Sequence, residues 1–324
     1  MSPDPAQFEV PALLDGMRVD RAVSMLTGCS RSAVAGMVAG GQVLVGEEPV
    51  TSRSHAVRAG DVLTVTLDEP SPGLVAEPDV CFEVVHEDAD LVVVDKPAGL
   101  VVHPGAGLTR GTMVGGLLAR YPDLESLVAE GVCDPLRPGI VQRLDKGTSG
   151  LLVVARRAPA YASLVEQLSS RRMERRYLAL VTGRVADERG LVDAPIGRSN
   201  RVPTRMAVSA QGREARTGYQ VLERFDAPEP LTLLALTLET GRTHQIRVHL
   251  AAIGHAVVGD DRYRSGGASG PVPARRLPVG RVFLHAATLG LVHPSTAEAM
   301  RWESPLPADL AGVLEGLRRP GAPR

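Results

Sequence analysis

The stretch PGIVQRLDKGTSGLLVVAR, residues 138–156, leads from a polar segment into an apolar run. The run LLVVA is typical of a buried β-strand. Just ahead of it, Asp145 stands between Arg143 and Lys146. A carboxylate between two cations at the entrance of a strand is either half of a surface ion pair or an acid held ionised for chemistry. The rest of the chain has to distinguish these two interpretations.

Strand-like segments recur on both sides of this stretch, and helical segments separate only some of them. The predicted helices are 112–120, 158–170, 244–252 and 307–318. The predicted strands are LVVVDKP (91–97), GLLVVAR (150–156), RYLALVTG (176–183), TGYQVLERF (217–225), PLTLLALTLE (230–239) and RVFLHAATLGLVH (281–293). Because strands outnumber helices and do not alternate with them regularly, we expect an α+β fold with a mixed, mostly antiparallel central sheet.

A smaller unit precedes these segments. Ser30 is predicted to cap its second helix, and Gly40 and Gly41 are predicted to end that helix. The unit consists of two helical patterns and two strand-like runs, GMRVDRAVSMLTG (16–28), SRSAVAGMVAGG (30–41), QVLVGEEPV (42–50) and DVLTVTL (61–67).

The chain therefore divides into a small and a large part. A segment rich in Pro, Gly and acidic residues predicts a linker between them, and a Gly- and Pro-rich stretch predicts a long loop at 264–280. The predicted boundaries are a small module at 10–69, a linker at 70–80, a large domain at 81–318 and a tail at 319–324.

The composition limits the class of protein. Apolar residues make up 44% of the 324 residues, enough for a sizeable core, and no run approaches the roughly 20 apolar residues of a membrane span. The N-terminal segment is acidic and has no signal-peptide pattern. Cys29, Cys81 and Cys133 lie far apart, which indicates a reducing compartment and argues against a zinc ribbon. We expect a cytoplasmic protein without membrane association.

Motifs for the commonest cofactors and nucleophiles are not found. The segment GAGLTRG, 105–111, does not fit the GxGxxG dinucleotide pattern, and nothing matches the phosphate loop GxxxxGK[ST] or the GxSxG elbow. His244 and His249 are five residues apart without an intervening Glu, so they do not form a zincin motif. We expect neither a metal site nor a bound cofactor.

A basic region surrounds one tyrosine. Between Arg171 and Arg216 the chain carries 11 arginines against five acidic residues, although the whole chain has a formal net charge of −1. Such a local excess would suit a phosphate backbone, and Tyr177 beside the arginines would suit stacking on an unpaired base. A solvated charged face with a core tyrosine explains the same residues equally well.

The segment LETGRTHQIRVHLAAIG, 238–254, predicts a strand, a turn at Gly241 and a helix with Thr243 as its cap. Arg242 and Arg247 would then lie near the positive end of the helix, which is unfavourable unless an anion lies nearby. That anion is either a phosphate or a carboxylate, and Asp145 is a candidate carboxylate.

Several long motifs, in this order along residues 80–318, resemble the RluA/RluD-type family of RNA pseudouridine synthases. The motifs are VVDKPAGLVVHPGAG, RPGIVQRLDKGTSGLLVVAR, RRYLALVTG, LETGRTHQIRVHLAAIGHAVVGD and LHAATLGLVHPSTAEAMRWESPLP. Residues 10–69 resemble the small RNA-binding module first recognised in a small-subunit ribosomal protein, the S-four type. The resemblance implies an α+β pseudouridine synthase fold joined to a small α/β RNA-binding module.

The resemblance also implies a role for particular residues. Asp145 would be the catalytic carboxylate of an enzyme that detaches uracil from ribose, turns it and rejoins it through carbon 5. Arg247 would be its partner, Tyr177 would stack on the flipped base and help remove the last proton, and Arg143 and Thr148 would contact the nucleotide. Residue chemistry agrees, because an ionised carboxylate can attack either the sugar or the base, and an arginine keeps its pKa low despite burial.

The expected partner is RNA, with large-subunit ribosomal RNA as the substrate of a monomeric enzyme that needs no cofactor. The chain departs from the family pattern at Gln142, where His is usual, and at Gly147, where Asp is usual. The residues predicted to contact RNA outside the nucleotide site are Arg18, Arg31, Arg171, Arg172, Arg175 and Arg176.

Two other functions remain open at the level of sequence. One is a non-catalytic RNA-binding or ribosome-assembly factor on the same scaffold. The other is a glycoside or nucleoside hydrolase that uses Asp145. Most such hydrolases need a second carboxylate as acid, and the nearest in sequence is Asp134, eleven residues away.

Overall fold

A computed structural model describes residues 5–29, 31–66, 74–105, 108–202, 204–264 and 279–319. The chain divides into two compact units, Met1–Gly73 and Leu74–Arg324. Residues 74–80 of the predicted linker belong to the second unit. Several predictions fall outside the described residues. They concern the cap Ser30, linker residues 70–73, loop residues 265–278 and tail residues 320–324.

The first unit contains an antiparallel sheet in the order β1-β4-β2-β3. Its second helix ends at Ala39, just before Gly40 and Gly41, as predicted. Residues of both helices and of the sheet, among them Val23, Val38 and Leu63, form one buried core. The elements are β1 (Ala6–Glu9), α1 (Val19–Thr27), α2 (Arg31–Ala39), β2 (Val43–Val45), β3 (Glu48–Pro49) and β4 (Val62–Val65), with a short 3-10 helix at Ala12–Leu14.

The second unit is built on a nine-stranded sheet. Its order is β5-β6-β7-β14-β8-β13-β12-β9, and β15 pairs with β14. All neighbouring strands are antiparallel except β7 and β14, so the predicted mixed, mostly antiparallel sheet is confirmed. The strands are β5 (Glu83–Glu87), β6 (Leu91–Lys96), β7 (Ser149–Ala155), β8 (Glu174–Thr182), β9 (Arg189–Asp193), β12 (Arg216–Phe225), β13 (Leu231–Leu238), β14 (Leu284–Val292) and β15 (Ala299–Glu303).

In the described part of this unit, five helices and a small hairpin accompany the sheet. The hairpin pairs β10 (Ile196–Arg198) with β11 (Met206–Val208). All four helices predicted in this part occur, and α4 is additional. The helices are α3 (Met113–Arg120), α4 (Leu124–Ala129), α5 (Ala158–Ser169), α6 (Gln245–Ala252) and α7 (Ala308–Arg318). Within the described residues, no helix has the length and apolar character needed to cross a membrane.

The polar segment 143–148 lies directly ahead of β7, where β7 begins to pair with β14. Ser149 is opposite His285, and Gly150 is opposite Ala286. Gly150 has φ of 112°, and a Cβ there would overlap the backbone of Ala286. Glycine is therefore required at this close approach. Since β14 also pairs with β8, the loop that carries Asp145 lies near β8.

Candidate active site

Asp145 is paired with a buried arginine from a distant part of the chain. Arg247 of α6 donates from Nη1 to Asp145 Oδ2 at 3.0 Å. The same guanidinium donates from Nε and Nη2 to the two oxygens of Asp260, at 2.7 and 2.9 Å. Burial alone would lower the pKa of Arg247, but the hydrogen bonds and charges of Asp260 and Asp145 raise it above its ordinary value. The ion pair expected between Asp145 and Arg247 is present.

Asp260 was not identified from the sequence, although it ends the quoted motif HAVVGD. Its side chain is fully buried, and Oδ1 also accepts backbone N–H groups from Arg262 and Tyr263. The ring of Tyr263 lies 5.2 Å from the guanidinium carbon of Arg247. The carboxylate of Asp260 and the ring of Tyr263 thus fix the orientation of the Arg247 guanidinium that holds Asp145.

His244 is a second residue that the sequence interpretation missed. Its Nε2 lies 3.9 Å from Asp145 Oδ1, and its Nδ1 lies 2.7 Å from the hydroxyl of Tyr263. That hydroxyl accepts the backbone N–H of Met206, which leaves its own proton for His244 Nδ1. This pattern assigns the imidazole proton to Nε2, on the side of Asp145. Burial lowers the pKa of His244, which favours the neutral ring.

The cap predicted at Thr243 is wrong. Helix α6 begins at Gln245, and His244 precedes it in the left-handed region with φ of 56°. No side chain caps the helix from the position of His244, and Gln245 Oε1 accepts from the backbone N–H of Arg242 instead. The unusual conformation of His244 aims its ring at Asp145, which is the kind of local strain found at functional sites.

Tyr177 lies on β8, opposite Ala286 of β14. Only 6% of its surface is exposed, and burial raises the pKa of its hydroxyl. Tyr177 and Asp145 line the same cavity of about 590 Å³, together with Thr148, His244 and Arg247. A cavity of this volume is in the ordinary range for a small ligand or a single nucleotide.

The other predicted nucleotide contacts also line this cavity. Arg143 is exposed at its mouth and makes no hydrogen bond or ion pair with a described residue. Thr148 is buried, and its hydroxyl has no partner among the described residues. Gln142, one of the two departures from the family pattern, is a lining residue as well. Gly147 lines a neighbouring cavity that also reaches Asp145.

The predicted RNA-contacting arginines separate into different environments. Arg175 is buried and Arg171 pairs with Glu214 and Glu239, and both arginines line the cavity. The exposed Arg172 and Arg176 pair with Glu166 and Glu174. In the first unit, Arg18 makes two hydrogen bonds of 3.1 Å to Asp20, and the side chain of Arg31 lies outside the described residues.

Lys96 is buried behind the loop that carries Asp145. It is fully buried, and its Nζ donates to the carbonyls of Pro97 and Leu100 at 2.9 Å each. The backbone N–H of Gly99 donates to the carbonyl of Lys146 at 2.7 Å, so the turn 97–100 is tied to the segment after Asp145. Burial lowers the pKa of Lys96 to about 8. The motif VVDKPAG was singled out from the sequence, but this buried amine was not.

One group of side chains among the described residues has the spacing of metal ligands, namely Asp88, Asp90 and His293. The Nδ1 of His293 accepts backbone N–H groups from Ser295 and Thr296. Its proton is therefore on Nε2, which donates to Asp88 at 3.1 Å. A metal would need that nitrogen free, so we interpret the group as a hydrogen-bonded support of the sheet.

Two further acids, Glu214 and Glu239, line the cavity. Both form ion pairs with Arg171. Asp145 has its Oδ2 bound by Arg247, while the nearest partner of its Oδ1 among the residues that the structure describes is His244, at 3.9 Å. The arrangement places a carboxylate with one oxygen unbound in the same cavity as a buried aromatic ring and several arginines.

The chain matches known families and proteins over most of its length. A family model described as RNA pseudouridylate synthase matches residues 90–252, and an S4 domain model matches residues 17–63. An uncharacterized RNA pseudouridine synthase, YlyB of Bacillus subtilis (strain 168), is 42% identical over 90% of this chain and 91% of its own length. Ribosomal large subunit pseudouridine synthase D of Nitrosomonas europaea is 43% identical, covering 96% of this chain and 88% of its own.

A solved structure agrees with these matches. Human RNA Pseudouridylate Synthase Domain Containing 1 superposes with a TM-score of 0.53 at 28% sequence identity. The superposition covers 76% of this chain and 98% of the human one.

Proposed function

The chain belongs to the RNA pseudouridylate synthase family, and from that premise we propose that this isomerase converts uridines of large-subunit ribosomal RNA with Asp145 as its catalytic carboxylate. The resemblance found in the sequence motifs is thereby confirmed at the level of the family. One observation carries the assignment of Asp145. It lies in the cavity with one oxygen bound by Arg247 and the other unbound.

The proposed reaction starts at the sugar. Asp145 Oδ1 attacks C1′ of the ribose while the bond from C1′ to N1 of uracil breaks, and both electrons of that bond go to N1. The detached uracil turns, its C5 bonds to C1′, and the electrons of the aspartyl bond return to the carboxylate. C5 then loses its proton and N1 gains one. The reaction is balanced without an oxidant, a reductant or a group donor.

The cavity supplies the other functions that this reaction needs. Tyr177 would stack on the base and help remove the C5 proton. Arg143 at the mouth is suited to hold the nucleotide out of its stack, and the unpartnered hydroxyl of Thr148 is suited to bind it. His244 would donate a hydrogen bond towards Asp145 Oδ1 once the ester forms.

The choice of ribosomal RNA follows from the names of relatives, several of which are ribosomal large subunit pseudouridine synthases D. The S4 match of the first unit supports RNA as partner. We propose that the enzyme acts as a monomer in the cytoplasm, where ribosomal RNA is made, and that Arg18, Arg31 and the arginines around the cavity contact the RNA.

The test is Asp145→Asn, which keeps the shape of the side chain and removes its charge. We expect no release of tritium from unmodified large-subunit ribosomal RNA labelled at carbon 5 of uridine, while binding of that RNA stays within a few-fold of the original protein. Asp226→Asn is the matched control, because Asp226 is exposed and pairs only with Arg184 outside the cavity.

Two results would contradict the proposal. Full tritium release by Asp145→Asn would remove Asp145 from the mechanism. Free uracil as the product of the original protein would indicate a hydrolase instead. Comparing the pseudouridines of ribosomal RNA from cells with and without the gene tests the substrate separately.

A further inference from the structure

Two arginines are buried in the wall of the cavity, and they differ in their partners. Arg247 is bound by Asp145 and Asp260. Arg175 has no carboxylate partner among the described residues. A single hydrogen bond of 3.1 Å joins its Nη2 to the carbonyl of Leu238, and its Nε has no acceptor.

Arg175 lies two residues before Tyr177 on β8, so the two side chains project from the same face of the strand. Only 6% of its surface is exposed. Its Nη1 lies against the turn at Gly241, where a Cβ would come within 3.1 Å of it. The guanidinium is thus held below the surface, beside the ring assigned to stack on the base.

An unpaired buried cation is costly to a fold. Removing a charge from water costs several kcal/mol unless a partner compensates it, and a single carbonyl does so only in part. Burial accordingly lowers the pKa of Arg175, but an arginine remains protonated at neutral pH. A cation kept in this position is suited to an anion that arrives with the substrate.

The depth of an arginine in the cavity indicates which part of an RNA it can meet. Phosphates stay on the outside of the strand, and the exposed arginines at the mouth, Arg143 and Arg213, are placed to meet them. Arg175 is nearly completely buried in the wall of the cavity that Tyr177 also lines, so a group that meets it must enter deeply. The flipped base is the part of the substrate that enters so far.

We infer that Arg175 is a further catalytic residue, which binds the carbonyl oxygens of the flipped uracil and stabilises the anion formed when N1 leaves C1′. This inference rests on the proposed function. When the bond breaks, the negative charge on N1 spreads to O2 and O4. A preorganised guanidinium at those oxygens stabilises the charge where it develops. When C5 bonds to C1′ and N1 is protonated, the charge disappears and Arg175 binds the carbon-linked base less strongly than it bound the anion.

The test compares two substrates. Large-subunit ribosomal RNA is transcribed without modification, once with uridine and once with 5-fluorouridine. The fluorine stabilises the departing anion and, because it replaces the C5 hydrogen, stays on C5 in the carbon-linked product. Single-turnover formation of the carbon-linked nucleoside is measured after digestion, with Arg175→Gln and Arg175→Lys. With uridine we expect Arg175→Gln to be slower by about 10²–10³-fold, as for loss of one oxyanion donor, and Arg175→Lys to be intermediate. With 5-fluorouridine the deficit shrinks at least about tenfold.

Arg224→Gln is the control for loss of a half-buried arginine outside the cavity. Arg224 lies on β12 and donates to the carbonyl of Val185 at 2.9 Å and to Glu188 at 2.6 Å. Any effect of this variant should be equal with both RNAs. An equal deficit of Arg175→Gln with both RNAs, or no deficit, would overturn the inference. Asp145→Asn in the same assay separates the two proposals, since conversion of either RNA by that variant would contradict the proposed function itself.

Stability provides an independent readout. Arg175→Met keeps most of the side-chain volume and removes the unpaired charge, so we expect a melting temperature no lower than that of the original protein together with the loss of rate. A fall in the melting temperature with normal turnover of uridine would identify Arg175 as a structural residue and overturn the inference.

Discussion

At the scale of single residues, one buried guanidinium holds two carboxylates from different parts of the chain. Arg247 donates to Asp145 and to Asp260 from different nitrogens of its guanidinium. A lysine has a single nitrogen and could not hold both carboxylates in this geometry. Asp260 compensates part of the positive charge of Arg247 and binds its Nε and Nη2, so the guanidinium orients Asp145 through one oxygen only. The orientation of Asp145 therefore depends on a second acid, Asp260, which lies 115 positions further along the chain.

Lys96 leads to a prediction about pH. Its pKa in the folded protein is lowered by burial to about 8, below that of an exposed lysine, so the unfolded chain binds the proton more tightly. The cost of the buried charge is complete below pH 8 and declines as the pH rises towards the unfolded value of about 10.4. Between pH 8 and 10, we expect the unfolding free energy of the original protein to rise by about 2–3 kcal/mol relative to that of Lys96→Met. Urea titrations of both proteins measure it, and parallel pH curves would contradict it.

At the scale of elements, the contact of β7 with β14 brings Asp145 next to β8. Gly150 is the residue that permits it, with φ of 112° and no room for a Cβ against Ala286. We expect Gly150→Ala to lower the unfolding free energy by more than about 3 kcal/mol and to abolish activity, because the parallel pair opens. Chemical denaturation measures the first effect and tritium release measures the second.

Gly147→Ala is the matched comparison in the same loop. A Cβ at Gly147 would meet only the side chain of Val282, at 3.1 Å, and the backbone there is not left-handed. We expect it to stay within about 1 kcal/mol of the original protein. A similar loss for both variants would show that the loop, rather than the strand contact, is the sensitive feature.

The same elements show what the sequence alone can reveal. Strands such as β6 and β7 are buried along nearly their whole length, so their apolar runs were predicted directly. The strands β5, β9 and β15 were missed because every second residue is exposed or polar. Such strands form because they pair with a neighbouring strand, which their own sequence does not reveal.

The site was predicted to a similar extent and for a related reason. Asp145, Tyr177 and Arg247 were found because they lie in long motifs. His244 and Asp260 act through geometry that no local pattern encodes, namely a left-handed backbone and a buried carboxylate 13 residues from its arginine. The isolation of Arg175 is likewise visible only in three dimensions, since in sequence it is one of several neighbouring arginines.

At the scale of the whole molecule, the two units have separate cores and different charge. The first unit, residues 1–73, has five arginines against nine acidic residues, so the excess of cations lies in the second unit. The core of the first unit contains no residue of the second. Both observations suggest that most phosphate contacts are made by residues 74–324, and that the first unit adds Arg18 and Arg31.

This division predicts how removal of residues 1–73 changes RNA binding. The logarithm of the affinity falls linearly with the logarithm of the salt concentration, with a slope of about 0.7–0.9 per phosphate contact. Because only two contacts are proposed in the first unit, we expect the deletion to weaken binding of large-subunit ribosomal RNA and to reduce the slope by no more than about 2. The single-turnover rate at saturating RNA should be unchanged, since every residue of the cavity lies in the second unit.

Filter binding between about 50 and 200 mM salt measures the slope. The full chain with Arg18→Ala and Arg31→Ala is the control and should reproduce the same change in slope. A much larger reduction on deletion would place the main phosphate contacts in the first unit, and an unchanged slope would remove Arg18 and Arg31 from the interface.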